Sequence, residues 1–294
     1  MNNLAIRCLV SIAVLLTLGL LVACDLNIGG KATPTPGPNA HLSNAELLKQ
    51  AATNMSHLQS YHLKVVNEME GGLTEVESAS GIFSQAFELT ADVQPPNKGS
   101  RFYWRSTDAE RHGLEVAGRF YDSAENDVVW YVADSLSSVG LWVDFFVRLW
   151  GNKPHFISVV QDITSGLLSV DNSDPVYEES DGVRTRRMTA NIGELWKPGM
   201  VDKGPSEGSM AHFYAMNGAK SITFWVTTDT SAVIKQMQVR GFLSERKDEA
   251  ATPTVQKKES TYREVSFQTT WKWSHFNEDF GEVKPPPTES VKSP

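Results

Sequence analysis

Cysteine is scarce. The 294 residues contain two, Cys8 and Cys24, which excludes a disulfide framework and a Cys-rich zinc site. The seven histidines (His41, His57, His62, His112, His155, His212 and His275) are scattered with no H-x-x-x-H pair, so the sequence predicts no metal site and no cofactor. A Gly-rich phosphate loop is also missing. Positive charge is in deficit: 27 Lys and Arg against 35 Asp and Glu give a net charge of −8. Such a chain lacks the basic surface that phosphate backbones require, which excludes nucleic acid as a partner. Long apolar runs are absent except for one at the N-terminus. Aromatic residues, by contrast, are plentiful, with 13 Phe, eight Trp and seven Tyr, and that apolar area must be buried against something.

The one long apolar run, Cys8 to Ala23, follows the weakly basic Met1–Arg7. At 16 residues it falls short of the roughly 20 that span a bilayer and reads as the core of a secretory signal peptide. It ends in Leu21-Val22-Ala23-Cys24, which resembles the lipobox of bacterial lipoproteins. That pattern implies cleavage before Cys24 and a diacylglyceryl group on its thiol, and two acyl chains suffice for stable membrane attachment. Both cysteines are thereby accounted for. The domain boundaries follow: a signal peptide over 1–23, the acylated Cys and a Pro/Gly/Thr tether over 24–42, a folded domain over 43–283, and a disordered tail over 284–294 carrying Pro285-Pro286-Pro287.

Within the folded part, Ser43-Asn44-Ala45-Glu46 has the form of a capping box. Leu47, Leu48, Ala51, Ala52, Met55 and Leu58 then recur at helical spacing, predicting a helix over 44–59. The period next changes to two. Strands are expected around Leu63–Met69, Phe83–Val93, Arg101–Arg105, Glu115–Tyr121 and Asp127–Ala133. Two helices follow, Leu141–Trp150 and another from Pro154 to about Leu167. Strands resume at Arg184–Ile192, Ser221–Thr228, Ala232–Leu243 and Thr261–Trp273. In the last of these Val265, Phe267, Thr269, Trp271 and Trp273 share one face. Gly193–Ala219 and Ser244–Ser260 read as long polar loops. The pattern is α+β: a single curved antiparallel sheet covered by a few helices.

This order resembles the LppX/LprAFG-type lipoproteins, which share the fold of the LolA-like lipoprotein carriers. The likeness is carried by Ala45-Glu46-Leu47-Leu48 through Ser60-Tyr61-His62-Leu63, by the turn Asp181-Gly182-Val183-Arg184-Thr185, by the hairpin Phe224-Trp225-Val226-Thr227-Thr228-Asp229-Thr230, and by Phe276-Asn277-Glu278-Asp279-Phe280-Gly281-Glu282-Val283 with Pro285. It spans about 43 to 287. The loops at 193–219 and 244–260 are longer than the family's, and Thr227 departs from its hairpin pattern. The resemblance implies a half-barrel whose sheet and helices enclose an apolar cavity, and a lipid or glycolipid ligand held there by its acyl chains. It also implies a membrane-anchored, extracytoplasmic address.

Such a site needs apolar walls. The candidate wall residues are Phe102, Trp104, Trp130, Met188, Phe267 and Trp271 on strands, with Trp142, Phe145, Phe146, Trp150, Phe156, Val160 and Ile163 on the two middle helices. The helix Leu141–Trp150 fits either a lid over a cavity or a helix packed on the sheet. Gly204-Pro205-Ser206-Glu207-Gly208 matches G-x-S-x-G but has no apolar strand before it, so Ser206 does not form a nucleophile elbow and no enzyme activity is expected. Asp171, Asp174, Glu178, Glu179 and Asp181 read as a solvated turn, and Arg184, Arg186 and Arg187 as a solvent-facing strand or a contact for an anionic head group. Two functions remain: a lipid-binding or lipid-carrying lipoprotein, and a non-catalytic envelope sensor or interaction module on the same fold.

Overall fold

The computed structural model describes residues 37–70, 85–95, 97–107, 109–124, 129–133, 155–166, 168–171, 175–192, 214–215, 217–246 and 262–292. They form two helices and twelve strands, with one short 3-10 turn at Thr288–Ser290. Helix α1 is Asn44–Ser56 and α2 is His155–Thr164. The strands are β1 Tyr61–Met69, β2 Phe87–Val93, β3 Ser100–Ser106, β4 Glu110–Val116, β5 Arg119–Ala124, β6 Trp130–Ala133, β7 Val176–Ser180, β8 Val183–Asn191, β9 Ala219–Thr227, β10 Ile234–Arg246, β11 Tyr262–Ser274 and β12 Val291–Lys292.

All twelve belong to one open, curved sheet in the order β12-β6-β5-β4-β3-β2-β1-β11-β10-β9-β8-β7. Every pairing is antiparallel except β12 with β6. The order decomposes into two meanders: β1 to β6 run outward in one direction and β7 to β11 run inward from the other. They meet where β1 pairs β11, with Val65 opposite Trp271. Tight turns make the meanders possible. β4 and β5 are joined by Ala117 and Gly118, and β7 and β8 by Asp181 and Gly182, all four at positive φ. Two residues in that conformation match the right-handed twist of the strands they connect.

Helix α1 starts at the predicted capping box. The Ser43 hydroxyl accepts from the Glu46 N–H at 3.3 Å, and the Ser43 N–H donates to the Glu46 carboxylate at 2.9 Å. The Ser43 hydroxyl also donates to the Glu46 carboxylate at 2.6 Å, and this bond together with that from the Ser43 N–H holds the Glu46 carboxyl below its ordinary pKa. Leu47, Leu48, Ala51, Ala52 and Met55 are buried against β9 and β10, and α1 packs on α2, which contributes Val159, Val160 and Ile163. The Ile234 N–H, at the start of β10, donates to the Met55 Sδ at 3.2 Å.

Several expectations change. The strand predicted over Glu115–Tyr121 is a hairpin, because Ala117-Gly118 reverses the chain in its middle. The run containing Glu178 and Glu179, read as a solvated turn, is strand β7, paired with β8. Where a disordered tail was expected, residues 284–292 cross to the far edge of the sheet and end as β12 beside β6. The segment before them is fastened to strand ends on the way: the Val283 N–H donates to the Lys98 carbonyl at 2.8 Å, and Arg101 Nη2 to the Phe280 carbonyl at 2.9 Å. Arg186 is not solvent-facing. It is 1% exposed because β8 alternation turns it toward α1, where Nη1 donates to the Leu42 carbonyl at 2.6 Å and Nη2 to the Ala40 carbonyl.

Candidate functional site

One face of the sheet is apolar across seven strands. Register fixes a single row of directly opposed residues: Met188 on β8, Phe224 on β9, Met237 on β10, Trp271 on β11, Val65 on β1, Leu89 on β2 and Trp104 on β3. Opposed residues of antiparallel strands share a face. All seven are buried, and helix α1 stands over the β9–β10 part of this face. A second row runs parallel to it through Phe102, Ala91, Leu63 and Trp273. The predicted alternation in β11 is present, with Val265, Phe267, Thr269, Trp271 and Trp273 all buried.

Beyond Trp104 the first row turns polar. Its partner on β4 is Arg111, whose Nη1 lies 2.6 Å from Asp122 Oδ2 on β5. Asp122 is 5% exposed. Burial pushes its carboxyl above the ordinary value, and the Arg111 guanidinium opposes that shift. Glu115, on the same face of β4, is likewise raised by burial. At the centre of the row, Tyr214 meets Trp271 edge-on, with ring centroids 6.2 Å apart. The Trp271 indole N–H is buried and has no hydrogen-bond partner among the described residues.

The opposite face is polar and holds two clefts among the described residues. One, of about 400 Å³, lies over Glu68, Gln268, Arg240, Ser221 and the half-exposed Phe242. The other, of about 390 Å³, lies over His62, Asp92, Arg101, Tyr103, His112 and Trp130. In it His62 Nδ1 and Asp92 Oδ1 are 2.7 Å apart, and the Tyr103 and His112 rings meet edge-on at 5.1 Å.

The predicted wall residues divide accordingly. Trp104, Met188, Phe267 and Trp271 lie buried on the apolar face, and Phe102 lies there half-buried. Val160 and Ile163 are buried on α2. Trp130 does not join them. Tyr131 is the partner of Asp122 and takes the apolar side, so its neighbour Trp130 falls on the polar side and lines the second cleft. Phe156 lies in α2, but its side chain is outside the described residues, as are Cys24, Trp142, Phe145, Phe146, Trp150 and Ser206. Sequence reasoning missed Phe224 and Met237, although the alternation Ile222-Phe224-Val226 carries the signal for the first. It had no signal for Tyr214, which sits within an expected polar loop, or for Arg111 with Asp122, whose proximity depends on the unforeseen hairpin.

The architecture defines an α+β protein built on one large open sheet with its helices on the apolar face. Neither a protein-family model nor a curated protein sequence matches the chain. Among solved structures it is similar to the crystal structure of the Mycobacterium tuberculosis lipoprotein LppX, at 17% identity and a TM-score of 0.40, over 82% of this chain and 100% of that one. It is also similar to an uncharacterized conserved protein from Thermus thermophilus, at 7% identity and a TM-score of 0.33, over 85% of this chain and 98% of that one. With both scores below 0.5, the fold assignment rests on this chain's own strand order and register. Among the described residues no helix is long and apolar enough to cross a membrane.

Proposed function

We propose that this protein is a membrane-anchored lipoprotein that holds the acyl chains of a lipid against the apolar face of its sheet. The observation that carries this reading is the unbroken row from Met188 to Trp104. Seven strands contribute one apolar side chain each, giving a strip about 29 Å long at roughly 4.8 Å per strand. An extended acyl chain of common length fits that strip. The half-barrel and its enclosed cavity, the boundaries at 23 and 42, acylation of Cys24 and the extracytoplasmic location belong to the same reading. The lipobox-like Leu21-Val22-Ala23-Cys24 supports the anchor, and the residues named for the LppX/LprAFG-type resemblance support the ligand class.

A second reading, partner recognition without a lipid, draws on the two clefts over the polar face. Purification from the native host with Cys24 replaced by Ala, followed by lipid extraction and mass spectrometry, separates the two. Stoichiometric lipid is expected on the first reading. Its absence under gentle purification would count against the carrier and leave the polar clefts as the working surface.

A further inference from the structure

The centre of the apolar row contains one polar atom with no hydrogen-bond partner among the described residues. Trp271 is 3% exposed, and its indole N–H makes no hydrogen bond among the described residues. An indole nitrogen can only donate, and a buried donor left unpaired costs stability that native interiors rarely tolerate. Among the described residues no neighbour has an acceptor in place: Tyr214 meets the ring edge-on, with centroids 6.2 Å apart, without a hydrogen bond to the indole N–H. The directly opposed residues are Val65 and Met237, neither with a polar side chain. Thr269, two residues away on the same face, donates its hydroxyl to Asn67 Oδ1 at 2.6 Å, and Asn67 Nδ2 donates to the Gln85 carbonyl at 2.6 Å.

No described residue supplies the acceptor, a role that a ligand on this face can fill, and the charge distribution restricts its kind. The described cationic groups of this face stand away from Trp271: Arg111 on β4 is paired with Asp122, and Arg186 on β8 is bonded to Leu42 and Ala40. A carboxylate or phosphate at Trp271 would be a buried charge with no counter-ion. A neutral carbonyl carries no such penalty. Deepening the acyl-binding reading on which it rests, we propose that Trp271 donates its indole N–H to the ester carbonyl of the bound lipid. It thereby selects ester-linked over ether-linked chains and sets the depth at which the chain lies along the row.

The test uses the mature chain with Cys24 replaced by Ala, loaded separately with dipalmitoyl glycerol and with dihexadecyl glycerol ether. These share chain length and headgroup and differ in the carbonyl. The wild type is expected to retain the ester about five- to tenfold better, the ratio that one net hydrogen bond supplies. Its carbonyl infrared band should lie below that of the same ester in alkane. Trp271→Phe keeps an aromatic ring and removes the donor; whatever its total lipid retention, its ester-to-ether ratio should fall to near one and the band shift should be lost. An ester-to-ether ratio near one in the wild type, an unshifted band, or a ratio unchanged in the variant overturns the inference while retained ether keeps the acyl-binding reading. Retention of neither lipid by the wild type overturns both. The wild-type band and ratio stand even where the variant folds poorly.

Discussion

The guanidinium of Arg186 reaches out of β8 to the carbonyl oxygen of Leu42, 2.6 Å away, joining the second meander to the segment that leads into α1. The same group bonds the Ala40 carbonyl and stands 3.3 Å from the Tyr177 hydroxyl. Arg186→Met keeps most of the side-chain volume but leaves those carbonyls without their donor. A loss of about 2–4 kcal/mol is expected from urea unfolding. A change below about 0.5 kcal/mol, the size of an ordinary surface substitution, would show that the clasp does not hold the fold.

Burial holds the Glu115 carboxyl above its ordinary pKa of 4.5. The folded state therefore binds this proton more tightly than the unfolded chain does. Its contribution to stability is greatest below that ordinary value and is lost as pH rises through the folded-state pKa. Glu115→Gln removes the ionisation and should raise the urea midpoint near neutral pH. Below about pH 4.5 the variant and wild-type curves should converge. A constant offset across the whole range would mean that something other than titration separates them.

Gly218 has a φ of +84°, and a Cβ there would overlap the carbonyl oxygen of Phe242 on β10. Both the left-handed backbone and the close approach exclude a side chain. Gly218→Ala should destabilise by at least about 2 kcal/mol, read as a lowered thermal midpoint. The contrast is Gly182, also at positive φ but with open space around its missing Cβ. Gly182→Ala should cost only the backbone term, about 1 kcal/mol. Equal losses at the two sites would argue that crowding at Phe242 is relieved by a backbone shift.

Most of the sheet could be read from period-two alternation, because one face is buried and the other wet. Thr261–Trp273 is the clearest case, where five alternate residues are apolar or small and all are buried. The capping box placed α1 for an equally local reason. Errors arose where a single residue decides. Ala117 and Gly118 turn an alternating stretch into a hairpin without interrupting its pattern. Trp130 has the alternation of its neighbours but stands one position out of phase with the apolar face. Arg186 looks like a surface cation because nothing local announces that carbonyls 140 or more residues earlier need a donor. The candidate site was thus legible as a set of large apolar residues on strands. Its polar exceptions, Trp271 with an indole N–H that has no partner among the described residues and the Arg111–Asp122 pair, are products of register and could not be read from spacing.

The helix predicted over Leu141–Trp150 supplies a further test of the acyl-binding reading. Trp142→Asp combined with Phe145→Asp should lower lipid uptake several-fold while leaving the circular dichroism spectrum and unfolding midpoint unchanged. Undiminished uptake by the folded double variant would remove this helix from the binding role.

The pinning of Gly37–Leu42 bears on how the domain is held. The Asn39 N–H donates to the Thr228 carbonyl at 3.0 Å, beside the β9–β10 turn, and the two carbonyls bound by Arg186 follow at once. On the proposed reading, a leash from an acylated Cys24 would therefore end at Gly37 rather than at the helix. About 13 residues remain, whose fully stretched reach is at most about 45 Å. Twelve strands set side by side span about 53 Å at roughly 4.8 Å per step. Such a leash would tie the bilayer to the turn end of β9 and β10, so that this corner would travel within a shell thinner than the sheet is wide. A lipid changing hands between bilayer and sheet would then cross a short gap at a fixed corner of the molecule.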